Sequence, residues 1–173
     1  MTETRTSIRE HVHANAGVHF NELVRAEAFA PGQVQYHLRR LIDEGAVVRE
    51  EFYGQTHYYP PSTTDWERAA LALFRRESSR AIVSTLLERE ATTPATLARD
   101  LDLARSTVEY HLDRLVEREV VEKRYDHRNR VSLTLTNPTR TRRLLQAVEP
   151  STPDRLVDRF TRFVDDVFED ATE

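Results

Sequence analysis

Between Ser106 and Arg130 the chain sets out two hydroxyls (Ser106, Thr107), a phenol (Tyr110), a guanidinium (Arg114) and a basic cluster of Lys123, Arg124, Arg128 and Arg130. These are groups that hold phosphate oxygens and the edges of bases. An earlier stretch repeats the theme with amides: Gln33, Gln35, Tyr36, Arg39 and Arg40. Glutamine suits an adenine edge, and arginine a guanine edge or a phosphate. Motifs for bond-breaking chemistry are missing. There is no cysteine, which removes disulfides, thiolate metal sites and cysteine nucleophiles. No glycine-rich phosphate loop, His-Glu-x-x-His or Gly-x-Ser-x-Gly occurs. The metal candidates are His11, His13 and His19, and His11 and His13, two apart, share no helix face. Neither an enzyme nor a metal or other cofactor is expected. The chemistry on offer is non-covalent recognition.

The groups are positioned by a segment used twice. VQYHLRRL, from Val34, returns as VEYHLDRL, from Val108, with six of eight positions identical. The offset of 74 (108 − 34) extends without a gap from Ile8 to Arg49: Ile8 falls on Ile82, Val12 on Leu86, Leu23 on Leu97, Arg25 on Arg99 and Val47 on Val121. One domain occurs in two copies.

Each copy has the same order of elements. In the second, Ile82, Val83, Leu86 and Leu87 recur at helical spacing, with Ser79 expected as the cap. Thr93-Pro94 opens a short helix through about Asp100. A third helix runs near Arg105 to Arg118, and strand-like runs follow at 120–124 and 131–135 around a polar loop. The first copy has a helix to about Asn15, helices at Asn21–Glu27 and Pro31–Glu44, and strands at 46–50 and 56–59. On the third helices, Val34, Leu38, Leu41 and Ile42, and likewise Val108, Leu112, Leu115 and Val116, form a core-facing stripe. Tyr36, Arg40, Tyr110 and Arg114 project from the other side. Three helices and a hairpin make a winged helix-turn-helix, whose third helix enters the major groove while the wing lies over the backbone. The expected fold is mainly α with small β-hairpin wings, an α+β plan. Residues 1–60 and 77–137 are the two winged helices, 61–76 a linker and connecting helix, and 138–173 the C-terminal helices.

Ser106-Thr107-Val108-x-Tyr110-His111-Leu112-x-Arg114-Leu115 resembles the recognition helix of ArsR- and MarR-type winged-helix transcription regulators, particularly the tandem versions common in archaea. The resemblance covers most of residues 6–136 and implies double-stranded DNA as the partner. Two departures stand out. Gly45 ends the first copy's third helix as the pattern requires, but Glu119 replaces the second glycine. A left-handed Glu119 would be strained by about 1 kcal/mol. In the first copy, Ala30-Pro31-Gly32-Gln33 replaces the hydroxyl-rich helix start, so phosphate-binding hydroxyls are missing there.

The wings differ. The first carries two glutamates and one arginine between Arg49 and His57; the second has four cations and one aspartate between Lys123 and Arg130. Phosphate attraction dominates non-specific affinity, so the second wing is expected to be the better clamp, with Arg128 and Arg130 on the backbone. The helices show the opposite bias: Arg39-Arg40 face outward in the first, Glu109 and Asp113 in the second. The first copy is either a second reading head or a part that holds the assembly together. For Tyr36 and Tyr110, DNA contact competes with half-buried packing; for His37 and His111, packing is expected.

Outside the repeat, Pro60-Pro61-Ser62-Thr63-Thr64 reads as a linker, with Thr64 or Asp65 capping a helix to Arg76 and Trp66 in its core. Thr139–Val148 reads as a helix with Arg140, Arg142 and Arg143 outside. Leu156, Phe160, Phe163 and Val167 form a short heptad seam, along which Arg155, Arg159 and Arg162 precede Asp165, Asp166, Glu169 and Asp170, an order that an antiparallel copy would complement. A homodimer through this seam is expected, folding back onto its own chain being the alternative. No apolar run spans a membrane and the first ten residues lack a secretion-signal core, so a cytoplasmic location is expected. Lys123 is the only lysine among 25 basic residues, and the net charge is −4; arginine-rich, acidic composition fits a salt-adapted archaeon or a GC-rich genome. Against a DNA-binding regulator stands a winged-helix protein–protein scaffold without DNA, which the acidic total and acidic first wing would suit. Any effector ligand is left open by the sequence.

Overall fold

The structure, a computed structural model, describes residues 3–148. Its elements are α1 Glu3–Ala14, α2 Phe20–Glu27, α3 Pro31–Asp43, β1 Val48–Phe52, β2 Gln55–Tyr59, α4 Asp65–Phe74, α5 Glu77–Arg89, α6 Pro94–Leu101, α7 Arg105–Glu117, β3 Val121–Tyr125, β4 Val131–Leu135 and α8 Pro138–Gln146. They form two compact units that divide within α4, between Ala72 and Leu73. Each unit is built on three helices and an antiparallel hairpin, the winged helix-turn-helix plan, with most of α4 added to the first and α8 to the second.

In the first unit Ile8 and Val12 of α1, Leu23 of α2 and Val34, Leu38 and Leu41 of α3 meet Val18, Val47 and Tyr58 in one buried cluster. Ile42 packs at its edge, partly buried. Val18 bridges Tyr58, adding a third short edge to the hairpin. Beside it the rings of His19 and His57 lie 4.2 Å apart, both buried, and their Nδ1 atoms bond Thr56 O (2.8 Å) and Gly17 O (2.9 Å). The β1–β2 turn has two residues, Tyr53 and Gly54, both at positive φ (52° and 78°). That pairing defines a type I′ turn, whose twist matches the strands.

The second unit repeats the end of the third helix residue for residue. Helix α3 closes with Gly45 N–H donating to Ile42 O (3.0 Å) and Ala46 N–H to Leu41 O (2.8 Å). In α7, Glu119 donates to Val116 O (3.0 Å) and Val120 to Leu115 O (2.9 Å). Both are Schellman motifs, with a left-handed residue just past the helix: Gly45 at φ 69° and Glu119 at φ 55°. These closures also correct the expected strand starts. Ala46, Val47 and Val120 donate to the preceding helix, so β1 begins at Val48 and β3 at Val121.

Ser79 is not the cap of α5. That helix begins at Glu77 after Arg76, and Ser79 lies buried within it. Thr93 does cap α6, its hydroxyl accepting from Thr96 N (3.2 Å). The expected helix to Arg76 stops at Phe74, with Leu71 and Ala72 buried besides the anticipated Ala69, Ala70, Leu73 and Phe74. It starts with a capping box: Thr64 Oγ1 accepts from Glu67 N (3.3 Å), and the Glu67 carboxylate accepts from Thr64 N (2.9 Å). Trp66 is half-buried. Asn137 caps α8, which buries Leu144 and Leu145. The seam residues Leu156, Phe160, Phe163 and Val167 lie outside the described residues.

Candidate nucleic-acid interface

Burial sorts the third helices into faces. On α3, Val34, Leu38 and Leu41 are buried while Gln33, Gln35, Tyr36, Arg39 and Arg40 are exposed. On α7 the buried stripe is Thr107, Val108, His111, Leu112 and Leu115, and Ser106 and Tyr110 are exposed. Tyr36 and Tyr110 keep 55% and 43% of their surface in solvent, so neither is core.

Each tyrosine carries the arginine one turn on. The Arg114 guanidinium lies 3.7 Å from the Tyr110 ring centre, and Arg40 lies 5.3 Å from Tyr36. Stacking on a ring restricts the guanidinium; Arg40 is exposed, whereas Arg114 is half-buried with its Nη1 shut away from solvent. From below, a histidine meets each tyrosine edge-on, His111 at 5.0 Å and His37 at 5.1 Å. His111 is itself anchored, its Nδ1 2.9 Å from the hydroxyl of buried Ser79. The first copy places Arg5 at Ser79's position, and Arg5 bonds Glu44 instead (2.9 Å). The second Tyr–Arg pair is therefore the better braced.

One of the expected contacts needs correcting, and two of the expected cations already have acidic partners. Thr107, expected at the groove, is 2% exposed: it lies four residues before His111 on the same buried stripe, so only Ser106 of the two hydroxyls faces out. Lys123 is not a free wing cation. Its ammonium sits 3.3 Å from Glu109 and 3.4 Å from Asp113, joining β3 to α7. Burial opposes its charge, but hydrogen bonds and attraction from Glu109 and Asp113 outweigh that and raise its pKa. The exposed helix carboxylates thus have their compensating charge built in. Arg130, finally, is held by Asp126 at 2.7 Å.

Asp126 organises the whole second wing tip. Its carboxylate accepts from Arg128 N (2.8 Å), Arg130 N (2.9 Å) and Arg130 Nε (2.7 Å). The backbone bond from Arg130, then that residue's side chain, then the Arg128 backbone hold its pKa below the usual carboxylate value, against desolvation. Arg124 pairs with Glu122 at 3.0 Å. Of the four cations in this wing, Arg128 alone has no acidic partner among the described residues. The sequence signals for this were present: carboxylates four apart share a helix face, and aspartate favours turns because it bonds backbone N–H groups just ahead.

The first copy is arranged otherwise. Its α3 face and β1 border an open cleft of about 880 Å³, lined among others by Phe20, Gln35, Tyr36, Arg39, Arg49 and Tyr58. Arg49 stands opposite Tyr58 in the hairpin register. Burial raises the Tyr58 pKa despite Arg49, so the phenol remains a protonated donor. Among the described residues no three His, Cys, Asp or Glu side chains gather as a metal-holding group, and no helix is long and apolar enough to cross a membrane.

Two helix-turn-helix units, each with a Tyr–Arg pair on its third helix, give the chain the build of a tandem helix-turn-helix protein. Comparison with known proteins agrees. Residues 2–71 match a family described as an N-terminal HTH domain, and residues 76–124 match a helix-turn-helix domain family. A protein of Methanocaldococcus jannaschii described as an uncharacterized HTH-type transcriptional regulator is 25% identical over 124 residues, which cover 72% of this chain and 31% of that protein. The chain thus spans less than a third of that relative's length. The chain carries two helix-turn-helix domains in tandem, and the protein it resembles is described as a regulator of that type.

Proposed function

We propose that the protein is a sequence-specific transcriptional regulator that sets α3 and α7 into major grooves of double-stranded DNA, with its wings over the backbone. The observation that carries this is the recurrence of an exposed tyrosine capped by an arginine four residues on, in both third helices, opposite an otherwise buried stripe. Arg40 and Arg114 are the base readers; Ser106, Gln33 and Gln35 lie beside them, and Arg128 and Arg130 follow the phosphates. A bidentate arginine–guanine contact contributes roughly 1–3 kcal/mol of discrimination.

Selection of binding sites from a random duplex pool tests the reading. The parent protein should enrich a defined site, and Arg40→Ala with Arg114→Ala should lose that enrichment while retaining salt-dependent binding to mixed sequence. A parent that retains no duplex at 50 mM salt refutes the proposal and favours a protein–protein scaffold. The protein is further proposed to act as a homodimer through Leu156, Phe160, Phe163 and Val167, on the heptad spacing of the sequence, which would suit a site of two half-sites.

A further inference from the structure

The internal repeat makes each copy a control for the other. At the offset of 74, Gln35, Arg39 and Arg49 correspond to Glu109, Asp113 and Lys123. In the second copy these three groups close on one another, the ammonium within 3.4 Å of both carboxylates, with a summed charge of −1. In the first copy the same positions sum to +2 and neither arginine has an acidic partner among the described residues. Both instead line the open cleft between α3 and β1, over an apolar floor that includes Phe20 and Leu38. Like charges facing one space repel each other, and an anion seated between them reverses that. Asp43 is the one carboxylate on the lining, too few to balance both.

We propose that this cleft is a seat for a phosphate of the duplex backbone, which makes the first copy the source of phosphate affinity and leaves the second, self-screened, chiefly to read bases. The proposal rests on the DNA-binding reading above. It favours a backbone phosphate over a small free anion because the cleft is open, and because Gln35 and Tyr36 belong both to its lining and to the groove-facing side of α3. A phosphodiester flanking an occupied groove would lie beside them. The assignment reverses the expectation, drawn from charge counts, that the second wing is the stronger clamp.

Exchange of the three residues between copies tests it. Gln35→Glu, Arg39→Asp and Arg49→Lys give the first copy the closed set; Glu109→Gln, Asp113→Arg and Lys123→Arg give the second copy the open one. Affinity for a mixed-sequence 30-base-pair duplex is measured by anisotropy from roughly 50 to 400 mM salt, a range that resolves the slope, with circular dichroism confirming folding. Each lost phosphate contact lowers the slope of log affinity against log salt by about one. The first triple variant and Arg49→Ala should each lower it by about one, and the second triple variant should raise it. An unchanged slope in the first triple variant and in Arg49→Ala overturns the seat and leaves the regulator reading standing. A parent that binds no duplex overturns both. In a calorimetric arm with inorganic pyrophosphate alone, saturable binding that the first triple variant abolishes, beside an unchanged duplex slope, overturns the seat in favour of a small-anion site.

Discussion

Glu119 stands at φ 55° in the position of a Schellman motif that Gly45 fills in the first copy. A residue with a Cβ is strained there by about 1 kcal/mol. Glu119→Gly should leave the melting temperature unchanged or raise it by up to about 4–8 °C, the usual response of a small domain to that gain. The relief is offset only by what the carboxylate contributes at the surface. Thermal denaturation followed by circular dichroism decides, and a clear drop would mean that α7 ends in some other way. This departure was readable in advance because the repeat supplied its own standard of comparison. The burial of Thr107 was not. Hydroxyls at a recognition-helix start suggest phosphate, and only the placement of His111 one turn on shows that position 107 faces inward. Ser79 misled for a similar reason: serine before an apolar run suits a cap, but here it bonds a histidine on another helix.

At the level of elements, the two wings solve one problem by different means. The first turns on two residues at positive φ and needs no side chain to hold it. The second spans five residues, Asp126 to Arg130, and depends on one carboxylate that accepts from two backbone amides and a guanidinium. Because those bonds depress the Asp126 pKa, the wing tip is fully held above the unfolded aspartate value of about 3.9. It is released as the pH falls through the lower, folded value. The Arg128 and Arg130 amide resonances should stay fixed from neutrality to about pH 4 and move together only below it. In Asp126→Ala they should take up their acid positions already at neutral pH. Resonances that move at or above the ordinary aspartate range would show that the carboxylate does not hold the loop. The order of helices and strands was legible from periodicity and caps, since each copy repeats the same punctuation. The strand starts were not, because backbone donors at Ala46, Val47 and Val120 are claimed by the helix before them, a demand no side-chain pattern displays.

For the whole molecule, a net charge of −4 means that attraction to DNA must come from local surfaces rather than from the total. Counting charges along the sequence found the cations of the second wing but not the carboxylates that three of them pair with. The proposed homodimer is argued at this scale from the sequence alone. Removing residues 151–173 should convert dimer to monomer in light scattering, and an unaltered mass would refute it. Lys123 has one more implication. It is the chain's sole side-chain amine, so an acylating reagent, or an enzyme that acetylates lysine, finds a single side-chain target beside the second head. Capping it would take the total from −4 to −5, one unit lower, and deprive Glu109 and Asp113 of the ammonium beside them. On the proposed reading, one amide bond would turn that surface against the polymer.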